Sequence, residues 1–204
     1  MRISIHPVDP EPRQIRKAGE ILRSGGIVIY PTDTVYGLGC NIEDKNAIER
    51  IYLIKGQRLN KPFSFVCSDL THISEYANVS NMAFKTMKRM IPGAYTFILP
   101  AGRMQRLPKI LISRRKTVGI RVPASPVTHA IIKELGHPIL STSVTIESGE
   151  LLNDPDLIVE HFNNVVDMII DAGVLRSEPS SVIDLTGDSP VVVRQGAGDT
   201  SMLS

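Results

Sequence analysis

The chain is built around an apolar strand and the polar turn that follows it, Gly26-Ile27-Val28-Ile29-Tyr30 and Pro31-Thr32-Asp33-Thr34-Val35-Tyr36-Gly37-Leu38-Gly39. β-Branched and aromatic residues between a Gly-Gly pair and a proline are typical of a buried strand. The turn brings two threonine hydroxyls and a carboxylate to the strand end, and its glycines permit close backbone approach or a positive φ. Because α/β proteins place their sites in such loops, the turn is a candidate site. Thr, Asp and Gly are also common in ordinary turns.

The composition predicts an ordinary globular chain. A length of 204 residues favours one domain, residues 1–204, with one core. No apolar stretch reaches membrane-spanning length, and the N-terminus lacks the apolar centre of a signal peptide. We therefore expect a cytoplasmic protein with no membrane contact. Cys40, Cys67 and the histidines lack metal-ligand spacing, so both cysteines are interpreted as buried hydrophobes and no protein metal site is expected.

Charge is distributed unevenly along the chain. No acidic residue occurs between Glu75 and Glu134, whereas eleven Lys and Arg residues do. From Glu147 onward the balance reverses, with eleven acidic residues against Arg176 and Arg194. This asymmetry suggests a positively charged face for phosphates or nucleic acid. Charges scattered around solvated helices are the alternative that sequence order leaves open.

Strand and helix patterns alternate in the manner of an α/β protein. Helices are predicted after Asp9, after a cap at Asp44, near 73–76, from about 81, at 125–135 and at 156–162. Strands are predicted at 26–30, 63–67, 94–99, 117–122, 138–140, 166–170, 181–185 and 191–194. The stripe Phe84, Met87, Met90 and Ile91 is interpreted as core packing. The closely spaced strands of the tail predict some antiparallel pairs, and hence a mixed sheet.

Polar side chains gather where the predicted strands end, together with cations at a helix end. They are Thr32, Thr34, Thr96, Arg121, Ser141, Ser143, Thr145 and Arg194, with Lys55, Arg58 and Lys61. Fixed cations with directional donors suit an anionic ligand such as ATP. The phosphate-binding motifs GxxxxGK(S/T) and GxGxxG are absent, and no Ser/His/Asp arrangement supports a protein nucleophile. Taken alone, Ser141 and Ser143 are structural hydroxyls.

Six motifs occur in an order that resembles the YrdC/Sua5/YciO family. The turn resembles the signature PT(D/E)TVYGLG, and Ser141-Thr142-Ser143 matches STS. The others are Pro92-Gly93-Ala94-Tyr95-Thr96, Val118-Gly119-Ile120-Arg121-Val122-Pro123, Pro179-Ser180-Ser181-Val182-Ile183-Asp184 and Val193-Arg194-Gln195-Gly196. The resemblance implies an α/β fold with a twisted mixed parallel and antiparallel sheet, and helices packed around a concave basic cavity.

The resemblance also implies a function. The family includes L-threonylcarbamoyladenylate synthases of tRNA t6A modification, which join L-threonine, bicarbonate and ATP, with magnesium. By position, Thr32 would contact threonine, Arg121 its carboxylate, Ser141 and Ser143 carbamoyl or phosphate oxygens, and Lys55 and Arg194 phosphates. Such a nucleotidyltransferase needs no nucleophile, because catalysis consists of positioning and charge stabilisation.

Two departures bring the chain closer to the YciO branch. The family's KxR motif becomes Lys55-Gly56-Gln57-Arg58, and its SxN motif becomes Ser143-Val144-Thr145. A displaced guanidinium can point away from its phosphate, and a threonine cannot reproduce the donor and acceptor of an amide. The chain is therefore expected to synthesise threonylcarbamoyl-adenylate or to process it. The alternative is a non-catalytic protein that binds double-stranded RNA or tRNA.

Overall fold

The computed structural model describes residues 1–56, 63–102 and 116–203. Its strands are β1 (Arg2–Ser4), β2 (Val28–Tyr30), β3 (Gly37–Asn41), β4 (Ser64–Val66), β5 (Tyr95–Pro100), β6 (Thr117–Arg121), β7 (Ile139–Ser143), β8 (Met168–Asp171), β9 (Ser181–Asp184) and β10 (Val191–Arg194). Its helices are α1 (Pro12–Arg23), α2 (Lys45–Ile54), α3 (Leu70–Tyr76), α4 (Asn81–Met90), α5 (Pro126–Leu135) and α6 (Pro155–Phe162), followed by a short 3-10 helix, Ser201–Leu203.

Within these residues the ten strands form one mixed sheet in the order β1-β8-β2-β3-β7-β4-β6-β5-β9-β10. Parallel pairs join β1 to β8, β2 to β8, β4 to β6 and β5 to β9, and the other neighbours are antiparallel. The predicted α/β fold with a mixed sheet is therefore confirmed. No helix in the described part of the chain is both long and apolar enough to cross a bilayer.

Local signals explain where the predicted helices begin and end. The Asp44 carboxylate accepts a hydrogen bond from the Ala47 N–H at 3.0 Å, which caps α2. Ser125 caps α5 in the same way, and Pro126 occupies the first turn, where a missing N–H costs nothing. Gly136 ends α5 at φ 85°, a left-handed conformation that glycine adopts without strain.

Helices cover the two faces of the sheet unequally. Helices α1 and α5 pack on one face, where Ile15, Leu22, Ile131 and their neighbours form a core with Val28 and Tyr30. The larger core on the opposite face includes α2, α3, α4 and α6. Both cysteines are free and buried, as predicted. In the described part of the chain, α1 and α5 cover only part of their face of the sheet.

Three expectations from the sequence require correction. Strand β1 was not predicted, yet it pairs with β8 in parallel. Phe84 was assigned to the core but is 44% exposed, whereas Met87 and Met90 of the same stripe are buried. Residues Gly37 to Gly39 were placed in the turn, but they lie in β3, and neither glycine has a positive φ.

Candidate functional site

A cavity of about 340 Å³ lies beside α1 and α5, on the same face of the sheet. Its lining is rich in hydroxyl groups and carries two arginines. The residues that define its chemistry are Thr32, Ser64, Thr96, Thr117, Arg121, Ser141, Thr142, Ser143, Ser180 and Arg194. A volume at the lower end of the range for small-molecule pockets suits one compact polar ligand or part of a larger one.

Strand register explains why distant parts of the sequence meet in this cavity. Arg121 of β6 lies opposite Thr96 of β5, Thr96 lies beside Val182 of β9, and Val182 lies opposite Arg194 of β10. Since side chains at paired positions share a face, the two arginines project to the same side of the sheet. Three strand spacings separate their backbones by about 14 Å. Ser141 reaches the same face through its pairing with Ser64.

The turn after β2 is held by its own hydroxyl groups. Thr32 Oγ1 donates to the carbonyl of Val35 at 2.6 Å and accepts from the Thr34 N–H at 3.1 Å. The Thr34 hydroxyl lies 3.2 Å from Thr32 Oγ1 and completes this network. Ser125 and Thr128 of α5 donate to the Pro31 carbonyl and anchor the turn. The two threonines therefore shape the turn, and only Thr32 of the pair is among the lining residues.

Arg121 and Asp33 form a buried ion pair at the cavity. The Arg121 guanidinium donates to Asp33, and the two side chains are 10% and 13% exposed. Burial lowers the pKa of Arg121, the charge of Asp33 opposes this shift, and the charge of Arg194 adds to it. The guanidinium nonetheless stays charged, because its ordinary pKa lies far above neutrality. Within the described residues, Arg121 Nε is buried and has no hydrogen-bond partner.

Arg194 and the hydroxyl pair beside it form the second half of the site. Its guanidinium donates to the carbonyl of Ser180 at 2.8 Å. The Ser180 hydroxyl lies 2.8 Å from the hydroxyl of Thr96, and both side chains are buried. Arg194 and Arg121 both line the cavity, and the charge of Arg194 contributes to the lowered pKa of Arg121. The described lining residues carry two guanidinium charges, and Asp33 pairs with one of them.

Lys55 and Thr145 contact each other at the end of β7. The Lys55 ammonium donates to the Thr145 hydroxyl and to the carbonyl of Ser143 at 3.2 Å. Neither residue is among the lining residues of the cavity. The KxR lysine and the residue that replaces the SxN asparagine are therefore neighbours, and Lys55 ties the end of α2 to the end of β7.

The structure brings most of the predicted site residues into one cavity: Thr32, Thr96, Arg121, Ser141, Ser143 and Arg194. Thr34, Lys55 and Thr145 are not among the lining residues. Arg58 and Lys61 lie outside the described residues, as do five of the eleven Lys and Arg residues between Glu75 and Glu134. The described ranges contain no group of three or more His, Cys, Asp or Glu side chains that could hold a metal ion.

Sequence reasoning missed three residues of the site. Asp33 was noted as an acceptor in the turn, but its pairing with Arg121, 88 positions away, leaves no local signal. Ser180 stands within a quoted motif without having been assigned a role. Tyr30, whose hydroxyl donates to Ser141 at 2.7 Å, was treated as an ordinary strand residue.

Comparison with known proteins agrees with this fold. The family model of the Sua5/YciO/YrdC proteins, described as "Telomere recombination", matches residues 20–196. The uncharacterized protein YciO of Escherichia coli K12 is 47% identical over 96% of this chain and 95% of its own length. The crystal structure of E. coli YciO superimposes with a TM-score of 0.94 at 45% identity, covering 100% of this chain and 99% of that one.

More distant relatives carry a functional name. A threonylcarbamoyl-AMP synthase of Nitrosococcus oceani is 35% identical over 84% of this chain and 92% of its own length. The crystal structure of Pyrococcus abyssi Sua5 complexed with L-threonine gives a TM-score of 0.89 at 31% identity. That match covers 96% of this chain but 57% of the P. abyssi chain. The chain therefore belongs to the Sua5/YciO/YrdC family.

Proposed function

We propose that the protein makes or processes threonylcarbamoyl-adenylate, the intermediate of tRNA t6A modification, in the cavity that Arg121 and Arg194 line. The observation that carries this proposal is the placement of two guanidinium groups and a row of hydroxyls around one space, with Asp33 as the paired carboxylate. Threonylcarbamoyl-adenylate has a phosphate, a carbamoyl group and a carboxylate, and the oxygens of each group need hydrogen-bond donors of this kind. The names of the synthase relatives support the assignment.

Each side chain has a defined part in this proposal. Arg121 would pair with the ligand carboxylate through the guanidinium that Asp33 holds in place, and Arg194 would contact a phosphate. Ser141 and Ser143 would donate to carbamoyl or phosphate oxygens. The chemistry needs no protein nucleophile. In synthesis the carbamate of threonine would attack the α-phosphorus of ATP and release pyrophosphate, and in processing the carbamoyl–phosphate anhydride would be cleaved by water with release of AMP. Oriented donors would stabilise the charge that develops in either direction. Magnesium would arrive with ATP, bound by the phosphates.

The contact between Lys55 and Thr145 bears on the direction of the reaction. Its ammonium already has acceptors at Ser143 and Thr145, so a triphosphate must compete with them for this cation. Threonylcarbamoyl-adenylate carries one phosphate, so its binding depends less on a hydrogen bond from the Lys55 ammonium. This geometry favours processing of the adenylate over its synthesis.

The test is mass spectrometry of the purified protein with two sets of substrates. One sample receives ATP, magnesium, L-threonine and bicarbonate, and the other receives preformed threonylcarbamoyl-adenylate. We expect loss of the preformed adenylate at a rate above that of a protein-free sample. Arg194→Met should reduce this rate at least tenfold, since it removes a charge-assisted phosphate contact. The matched control is Arg176→Met, which changes an exposed arginine outside the cavity.

Formation of the adenylate with pyrophosphate would assign synthesis to the same cavity. The adenylate proposal fails if both samples stay unchanged, or if Arg176→Met lowers the rate as much as Arg194→Met does.

A second candidate, RNA binding, is favoured by the exposed face of α4. Phe84, Lys85, Lys88 and Arg89 are all exposed there, and the flanking sequence carries no acidic residue from Tyr76 to Lys133. Cations beside an exposed aromatic ring suit phosphates and bases.

The test compares binding of duplex RNA and tRNA across a range of salt concentrations. Replacing Lys85, Lys88 and Arg89 by serine should weaken binding and flatten its salt dependence. The control replaces Arg13, Arg16 and Lys17 on α1, which are exposed and equal in charge. Equal losses in the two triple variants would show that the α4 face is not a specific RNA site.

A further inference from the structure

Tyr30 fills a groove that two glycines leave open on the sheet. It is the last residue of β2, is 1% exposed and lies opposite Gly37. A Cβ atom on Gly37 would lie 2.9 Å from Tyr30 Cζ, and one on Gly39 would lie 2.8 Å from Tyr30 Cε1. Neither glycine has a positive φ, so the pair supplies space and not an unusual backbone conformation. The ring lies across both glycines and directs its hydroxyl toward β7.

The hydroxyl of Tyr30 donates a hydrogen bond to Ser141 Oγ at 2.7 Å. A phenol is a stronger donor than an aliphatic hydroxyl because it is more acidic. Burial raises the pKa of Tyr30 to about 12, so the phenol keeps its proton throughout the physiological range. The donor in this pair is therefore Tyr30, and the Ser141 oxygen accepts.

Ser141 is consequently left with a proton to donate. Its side chain is 8% exposed and lines the cavity, and in the described part of the chain its hydroxyl has no further hydrogen bond. Thr32 differs, since its proton goes to the carbonyl of Val35. The Ser141 proton is available to an acceptor in the cavity, and a carboxylate or phosphate oxygen there is a strong one.

We propose that Tyr30 is a positioning residue that fixes Ser141 as a hydrogen-bond donor to an oxygen of the bound ligand. The nature of that ligand rests on the proposed function, whereas the orientation of the Ser141 hydroxyl does not. A Tyr30 that only filled the core would act through its ring, which Tyr30→Phe retains. The hydroxyl is therefore the part of the side chain to remove.

The first measurement is the NMR signal of the Tyr30 hydroxyl proton. Burial and a 2.7 Å hydrogen bond slow its exchange with water, so we expect a resolved signal that disappears in Tyr30→Phe and shifts in Ser141→Ala. A missing signal, or one that Ser141→Ala leaves in place, overturns the proposal. This measurement needs no ligand and stands even if the proposed function fails.

The second measurement is calorimetric binding of ATP and of L-threonine. Tyr30→Phe should weaken at least one of them about fivefold, the value of one net hydrogen bond. Because Tyr30 acts through Ser141, the variant with both Tyr30→Phe and Ser141→Ala should bind as Ser141→Ala does. Tyr95→Phe is the control: it removes a hydroxyl that donates to the carbonyl of Asp199, away from the cavity, and should leave both affinities unchanged.

The outcomes separate the two proposals. If the wild-type protein binds neither ligand, the synthesis reaction of the proposed function is ruled out, while the hydroxyl signal still decides the role of Tyr30. If wild-type protein binds and Tyr30→Phe binds equally well, the positioning role is wrong. Losses that multiply in the double variant would also overturn it, because they would show that Tyr30 acts independently of Ser141.

Discussion

Replacing Asp33 by asparagine tests how much of the fold depends on the charge pair in the cavity. The substitution keeps the shape of the side chain and removes the negative charge that faces Arg121. Both side chains are nearly buried, and losing one partner of a buried ion pair costs about 3–5 kcal/mol. Asparagine retains a neutral acceptor for the guanidinium, so we expect the lower end, about 3 kcal/mol. Arg194 adds to the cost, because it is a second positive charge in the same field.

The assay is equilibrium unfolding in urea, followed by circular dichroism. The matched control is Asp156→Asn, the same chemical change in a pair with Arg2 where the Asp156 side chain is 79% exposed. An exposed pair contributes about 0–1 kcal/mol, so the control should unfold almost as wild type does. Adding Arg121→Met to Asp33→Asn should recover part of the loss, since the uncompensated charge is then gone.

Equal losses of unfolding free energy in Asp33→Asn and Asp156→Asn would refute the argument, because burial of the ion pair would then make no difference to its contribution. A double variant with Arg121→Met that is less stable than Asp33→Asn alone would refute it as well, since the cost would come from packing and not from the orphaned charge.

Three further predictions concern the same region. Gly37→Ala should destabilise the protein by about 2 kcal/mol in urea, since its Cβ would lie 2.9 Å from Tyr30 Cζ, whereas Gly187→Ala meets nothing within 4 Å and should not. Burial raises the pKa of Tyr30 and Tyr36 to about 12, against about 10 in an unfolded chain. The unfolded state then loses protons first, so urea unfolding should show stability falling from about pH 10 to pH 12. Lys55→Met should lower the free energy of unfolding by about 1 kcal/mol in the same assay. Thr145→Val should lower it less, because the Lys55 ammonium can still donate to the backbone carbonyls of Ser143 and Thr145.

Much of the fold could be predicted because its signals are local. Asp44 and Ser125 cap their helices through neighbouring N–H groups, and Gly136 ends α5 through its own φ. The short strand β1 carries no such signal. Its three residues, Arg2–Ser4, become a strand only because β8 supplies hydrogen-bond partners 167 positions later. Pairing at that distance is a property of the folded sheet and not of the segment.

The candidate site likewise contains residues that local sequence signals indicate and residues that only the folded structure explains. Arg121, Ser141 and Arg194 could be proposed because polar residues at strand ends are conspicuous against apolar runs. The need for glycine at position 37 could not be predicted from the neighbouring sequence, because a side chain there would clash with the ring of Tyr30 on the adjacent strand. Phe84 has the helical spacing of the buried residues of α4 but is exposed. Helical spacing predicts which residues share a face of the helix, and it does not predict how much of that face the rest of the protein covers.

The charges of the cavity favour an anionic ligand that brings more than one acceptor. Asp33 compensates one positive charge, and two guanidinium groups line the same cavity, so the described side chains there carry an excess of about one positive charge. Arg121 Nε has no partner in the described residues, and a ligand oxygen that reached it would relieve the cost of a buried, unsatisfied donor. Arg194 is held by two hydrogen bonds to the Ser180 carbonyl, from Nε and Nη2, and a guanidinium has further N–H donors for a ligand oxygen. A ligand with a carboxylate at Arg121 and a phosphate near Arg194 would satisfy both cations at once. The threonylcarbamoyl-adenylate of the proposed function would meet this requirement, because its carboxylate stays free while its carbamoyl group is joined to the phosphate.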